Sequence, residues 1–283
     1  MNQFVFKVDK KSNGCLAQDF LLKMGVSKEI IKKIKVGGVF LNGRALSFIK
    51  TPVKYKDEIK IVLKETSACP FVSPVKQKIT VLYEDEYLIA VDKPSGVLTH
   101  NSINNKTLSL DSLLLGYFYP NPFVFRPLNR LDRDTSGVVL IAKDELTASL
   151  LSAQLKVGGF NKTYYALVVG TIDKKRFTVE KPIKRASETG MKRICDENGK
   201  YAKTDFTLIK KLKGNLSLIK AKLYTGRTHQ IRVHLSSVNL PLYADALYGT
   251  AIENKTFILN AKVLEFTHPF NKKRIKIKSK IKI

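Results

Sequence analysis

The chain has 283 residues, and 50 Lys and Arg against 24 Asp and Glu give a formal net charge of +26. Hydrophobic residues make up 44%, which excludes wholesale disorder, and neither a membrane-spanning apolar run nor the apolar centre of a secretory signal in residues 1–20 is present, so a soluble cytoplasmic protein without membrane partners is expected. The charge makes nucleic acid the leading partner, because each Lys or Arg set against a phosphate releases counterions, with a lysine-rich composition as the plain alternative.

In chain order, residues 16–24 carry Leu16, Phe20 and Met24 at helical spacing and are ended by Gly25. Ser27 is a suitable cap for a second helix, with Ile30, Ile31 and Ile34 inward and Lys28, Lys32 and Lys35 outward. Two short strands around Asn42-Gly43 and a closing strand over 57–63 follow. This order resembles the small RNA-binding domain named after ribosomal protein S-four. The resemblance implies RNA contacts from Lys32, Lys35 and Arg44, and residues 1–67 carry a net charge of +8.

Residues 64–78 hold two prolines and two serines without periodicity. We place an interdomain linker at 68–78, expected to leave 1–67 a separately tethered handle, and a second domain at 79–283. That domain reads as α+β: strands flank the acidic turn Glu84-Asp85-Glu86, a buried strand spans 136–142, and Asp144 caps a helix over 145–156. Further strands start at Thr163 and Asn215, and a short helix follows Thr228, its expected cap. The alternating tail 274–283 reads as a half-buried strand with Lys276, Lys278, Lys280 and Lys282 on one face. Strands and helices do not alternate regularly, which favours a large, mostly antiparallel sheet.

Several chemistries are excluded by motif. There is no phosphate loop, HExxH or GxSxG, and Cys15, Cys69 and Cys195 are too scattered for a disulfide framework or a zinc knuckle, so no metal or cofactor is expected. Two clusters stand out. In 125–143, Arg126, Arg130 and Arg133 crowd Asp132 and Asp134; a carboxylate among guanidinium groups suits a nucleophile or charge stabiliser, and a bracing ion-pair network is the equal alternative. In 224–249, Arg227, His229, Gln230, Arg232 and His234 fall close together, with His229, Arg232 and Ser236 on a face apart from Ile231 and Leu235.

The ordered segments VDKPSGVLTH, RLDRDTSGVVLIAK, KTYYALVVG, GKYAKTDF, TGRTHQIRVHL with DALYG, and LNAKVLEFTHP are similar to the successive motifs of the RluA-type pseudouridine synthases, over about 79–275. The resemblance implies one curved mixed sheet with flanking helices, a central RNA cleft, and isomerisation of uridine in large-subunit ribosomal RNA or transfer RNA. It places the catalytic aspartate on Asp132, the active-site tyrosine on Tyr164, and the arginine paired with the aspartate on Arg232 rather than Arg227. Arg130, Arg133, Arg227 and His229 are expected RNA contacts. Asn129 and Asn260 stand where His is usual, which puts fine substrate contacts in question.

The implied reaction breaks the bond from ribose to a ring nitrogen, turns the uracil and rejoins it through carbon five, with no net redox change. Asp132 acts either as a nucleophile or as the base that removes a ribose proton; Tyr164 stacks on the flipped base and exchanges the carbon-five proton. A monomer is expected. The competing reading is a non-catalytic ribosome assembly factor, against which a carboxylate inside a phosphate-binding cleft counts.

Overall fold

The computed structural model describes residues 2–64, 72–101 and 108–283. The N-terminal unit consists of β1 (Asn2–Lys7), α1 (Ala17–Met24), α2 (Lys28–Ile34), β2 (Val39–Leu41), β3 (Arg44–Ala45) and β4 (Glu58–Leu63). Its strands pair antiparallel in the order β1-β4-β2-β3. The Ser27 hydroxyl accepts the Ile30 N–H as an N-cap. Asn42 and Gly43, at φ 49° and 80°, make the tight turn their sequence promised. The strand β1 was not anticipated, although Phe4 and Phe6 alternate inward along it and the buried Val8 follows its end.

The larger unit contains β5 (Thr80–Glu84), β6 (Leu88–Lys93), α3 (Leu110–Phe118), β7 (Arg126–Pro127), β8 (Ser136–Ala142), α4 (Glu145–Lys156), β9 (Asn161–Val169) and β10 (Arg176–Glu180). It continues through β11 (Ile183–Arg185), β12 (Arg193–Cys195), β13 (Lys203–Leu212), β14 (Leu216–Leu223), α5 (Gln230–Ser236), β15 (Leu259–Thr267) and β16 (Arg274–Lys278). The main sheet runs β10-β13-β14-β9-β15-β8-β6-β5, with β16 on β15 and β7 on β8. Its pairings are antiparallel except where β15 meets β8. The fold is thus α+β with a large, mostly antiparallel sheet. Apolar side chains cover both faces: Ile89, Val91, Val139 and Ile141 on one, Leu88, Ala90, Val138 and Leu140 on the other. That two-sided burial is why the central strands read as unbroken apolar runs.

The parallel contact lies at Ser136 and Gly137, opposite Asn260 and Ala261. Gly137 has φ +114°, and a Cβ there would sit 2.5 Å from the Ala261 carbonyl oxygen. Only glycine lets the chain leave the Asp132 loop and enter the sheet this close to its neighbour.

The two units are packed together, which corrects the expectation of a freely tethered handle. Leu146 and Leu150 of α4 belong to the same apolar cluster as Phe20, Ile30 and Ile61. Phe4 stacks on Phe270 at 5.4 Å, and the Ser149 hydroxyl accepts the Ser27 N–H and donates to the Gly25 carbonyl. Residues 65–71, including most of the expected linker's first half, lie outside the described residues. Farther on, the Val75 N–H donates to the Ser112 carbonyl, so this stretch runs against α3.

Candidate active site

The segment carrying Asp132 is clamped by the loop after β6. Thr99 Oγ1 donates to the Leu131 carbonyl at 2.7 Å and accepts the Leu131 N–H at 3.1 Å. Ser95 Oγ donates to the Asp134 carbonyl, and the Arg133 carbonyl accepts both the Gly96 N–H and Lys93 Nζ. Lys93 is fully buried, also donates to the Pro94 and Val97 carbonyls, and is pushed down to about 8 by burial, against the attraction of Asp134 and Asp132. With the backbone on either side of it held, the Asp132 side chain is left to face outward from the loop.

The cation that meets Asp132 comes from a hundred residues away. Arg232 Nη1 lies 3.3 Å from Asp132 Oδ2, while Nε and Nη2 make a two-pronged bond at 2.8 Å each to Asp245, a wholly buried carboxylate. The guanidinium also lies over the rings of Tyr248 and Phe257, at 4.9 and 4.4 Å from their centres. Burial opposes its charge, but the two carboxylates raise its pKa on balance. The DALYG segment by itself gives no role to Asp245. A carboxylate in so apolar a stretch is itself a sign that a buried cation awaits it.

Tyr164 sits mid-strand on β9 between Ala221 and Ala261, small neighbours that leave room for its ring. Its hydroxyl is pushed upward, chiefly by burial and then by the charge of Asp132, so it is a neutral O–H at physiological pH. Asp132, Tyr164, Arg130, Arg227, His229 and Arg232 together line a cavity of about 70 Å³. Two residues before Tyr164, the half-buried Lys162 has its pKa lowered by burial, and its Nζ lies 3.6 Å from where a Cβ on Gly226 would be.

At the start of α5 the expected cap is displaced. Thr228 is not the cap: the helix starts at Gln230, and the preceding His229 adopts a left-handed conformation. The buried Gln230 side chain organises the turn instead, accepting from the Arg227 N–H and Thr225 Oγ1 and donating to the Lys203 carbonyl and Thr204 Oγ1. The face holding His229, Arg232 and Ser236 is as expected, and all three meet segment 245–248.

The arginine cage drawn around Asp132 also needs correction. Of the three nearby arginines, Arg133 pairs with Asp134 at 3.1 Å. Arg130 is exposed at the cavity rim, and Arg126 is paired with Ala142 at the far end of β8, roughly 20 Å along the strand at about 3.3 Å per residue. Arg227 is exposed, with Nε on the Tyr201 carbonyl; Lys32, Lys35 and Arg44 are exposed on the N-terminal unit. Asn129 bonds the Val138 carbonyl and the Leu140 N–H, acting as a strut along β8. Asn260 is fully buried on Ser136 and Ser279. Both replacements therefore serve the scaffold.

The RNA pseudouridylate synthase family matches residues 87–237. The chain is 32% identical over 276 residues to an uncharacterized RNA pseudouridine synthase of Helicobacter pylori (strain ATCC 700392 / 26695), covering 92% of this chain and 84% of that protein. It is 33% identical to ribosomal large subunit pseudouridine synthase D of Borreliella burgdorferi (strain ATCC 35210 / DSM 4680 / CIP 102532 / B31), covering 79% of this chain and 72% of that protein. The solved structure of human RNA pseudouridylate synthase domain containing 1 superposes with a TM-score of 0.63 at 25% identity, covering 73% of this chain and 85% of that one. An α+β sheet that brings a clamped aspartate to a buried arginine and a buried tyrosine thus belongs to an RNA-modifying isomerase. The chain is a member of the RNA pseudouridylate synthase family.

Proposed function

We propose that Asp132 carries the isomerisation and that the substrate is a uridine of large-subunit ribosomal RNA. The observation that carries the first part is the Arg232 bridge: one guanidinium, fixed by Asp245 through Nε and Nη2, presents Nη1 to Asp132 in the cavity that Tyr164 also lines. Asp132 attacks the sugar or ring, or removes a ribose proton, while Arg232 holds its carboxylate in place. Tyr164 stacks on the flipped uracil, and its hydroxyl takes up the proton that carbon five must lose as its own proton passes to solvent in the cavity. Flipping costs a few kcal/mol, offset by phosphate contacts from the exposed Arg130, Arg133 and Arg227.

For the substrate, support comes from the large-subunit name of the Borreliella relative and from the N-terminal unit, whose Lys32, Lys35 and Arg44 are read as RNA contacts of an S-four-like domain. Asp132→Asn keeps the side-chain shape and removes its charge. The purified variant is expected to fold and bind RNA but form no pseudouridine, and turnover above trace contamination would reject the assignment. Pseudouridine maps from cells with and without the gene test the substrate: a site lost from transfer RNA, with large-subunit RNA unchanged, overturns it.

A further inference from the structure

Tyr248 lies behind the site and links three of its parts. Its ring supports the Arg232 guanidinium from one side at 4.9 Å and packs edge-on against His229, with ring centres 5.6 Å apart. Its hydroxyl lies 2.8 Å from the Arg193 N–H on β12 and 2.9 Å from His229 Nδ1. On its other side, His229 Nε2 faces Asp132 Oδ2 at 3.8 Å, longer than a direct hydrogen bond but close enough for a small side-chain movement to make one.

Counting protons assigns the imidazole. The Tyr248 oxygen already accepts the Arg193 N–H. Its single proton has one acceptor within reach among the described residues, His229 Nδ1. Were Nδ1 to carry the proton, the oxygen would accept twice and its own O–H would be left buried without a partner, at a cost of about 1–3 kcal/mol. The facing groups do not reverse this. Burial first, then the positive charges of Arg232 and Arg193, lower the His229 pKa, while Asp132 and Asp245 act the other way and are outweighed. The ring is neutral, with one proton to place.

We propose that Tyr248 is a positioning residue that holds His229 as its Nε2–H tautomer and thereby presents a neutral N–H donor to Asp132. The role proposed for the donor rests on Asp132 being the reacting carboxylate; the tautomer itself does not. A neutral donor orients the carboxylate without supplying a proton that could quench Asp132. The Arg193 link also ties this donor to the β11–β12 hairpin.

The test is a long-range proton–nitrogen NMR spectrum of histidine-labelled protein at pH 8, which has four histidines to resolve, His229 being assigned by its loss in His229→Gln. The wild-type ring is expected to show protonated Nε2 and bare Nδ1. Tyr248→Phe keeps both ring contacts and removes the hydroxyl, so the tautomer is expected to redistribute. The kcat should fall about tenfold, the equivalent of one orienting hydrogen bond, with KM nearly unchanged. Asp132→Asn should abolish turnover yet leave the tautomer as in the wild type, which separates this proposal from the catalytic assignment. A protonated Nδ1 in the wild type overturns it even if Tyr248→Phe fails to fold. So does a tautomer that follows Asp132→Asn and ignores Tyr248→Phe.

Discussion

Tyr164 shows how burial sets what a side chain has to offer. Its hydroxyl has no hydrogen-bond partner among the described residues while the ring is packed on three strands, so protein stability does not depend on the oxygen but a ligand in the cavity meets it directly. Tyr164→Phe is therefore expected to leave thermal stability unchanged or slightly raised and to reduce kcat about a hundredfold, with little change in RNA affinity. A rate within twofold of wild type would remove the hydroxyl from the mechanism and leave only the stacking ring. Thr99 is the contrasting case, because its hydroxyl both gives to and takes from Leu131. Thr99→Val preserves volume and leaves two buried backbone groups unpaired, so urea unfolding should show a loss of about 1–3 kcal/mol. An unaltered midpoint would show that the Asp132 loop is held without it.

Among elements, α5 is where titration meets packing. His234 is wholly buried, with Nδ1 on Thr204 Oγ1 and Nε2 on the Lys181 carbonyl, and burial lowers its pKa as it does that of His229. The unfolded chain then binds more protons than the folded one as pH drops below about 6.5. Stability is expected to fall between pH 7 and pH 5.5, and the fall to be shallower in His234→Gln; parallel melting curves for the two proteins would exclude this origin. Elements with a local chemical signature were legible in the sequence: the Ser27 and Asp144 caps, the Asn42-Gly43 turn, the alternation in β4. What could not be read were partnerships made by folding. The pairing of Asp132 with Arg232 was legible only through the family resemblance, since nothing local to Asp132 favours Arg232 over Arg130, and no local signal shows that Gln230 supplants Thr228 at the α5 entry. β1 escaped because an isolated six-residue stretch acquires its meaning from β4, more than fifty residues later.

At the scale of the molecule, the seam between the units changes what removing residues 1–70 should do. Deletion uncovers Leu146, Leu150, Tyr87 and Phe270, so the remaining domain is expected to fold but to be less soluble. It should still isomerise a short model RNA, yet bind the large natural RNA more weakly and with a shallower slope of log affinity against log salt, since fewer phosphates are neutralised. An equal slope for full-length and truncated protein on the large RNA would show that the N-terminal unit does not touch it. The Lys33–Glu145 pair across the seam adds little, because exposed ion pairs contribute no more than about 1 kcal/mol.

The stack of Phe4 on Phe270 also has a history in time. Nearly the whole chain separates the two rings, and at roughly 5–20 residues per second the first waits tens of seconds for the second during synthesis. Phe6, which packs near the same ring, waits with it. The apolar flank of the N-terminal unit thus emerges early and is covered in two stages, by Leu146 and Leu150 of α4 and only later by Phe270, so a nascent chain stalled before β15 still exposes Phe4 and Phe6 to chaperones and to aggregation.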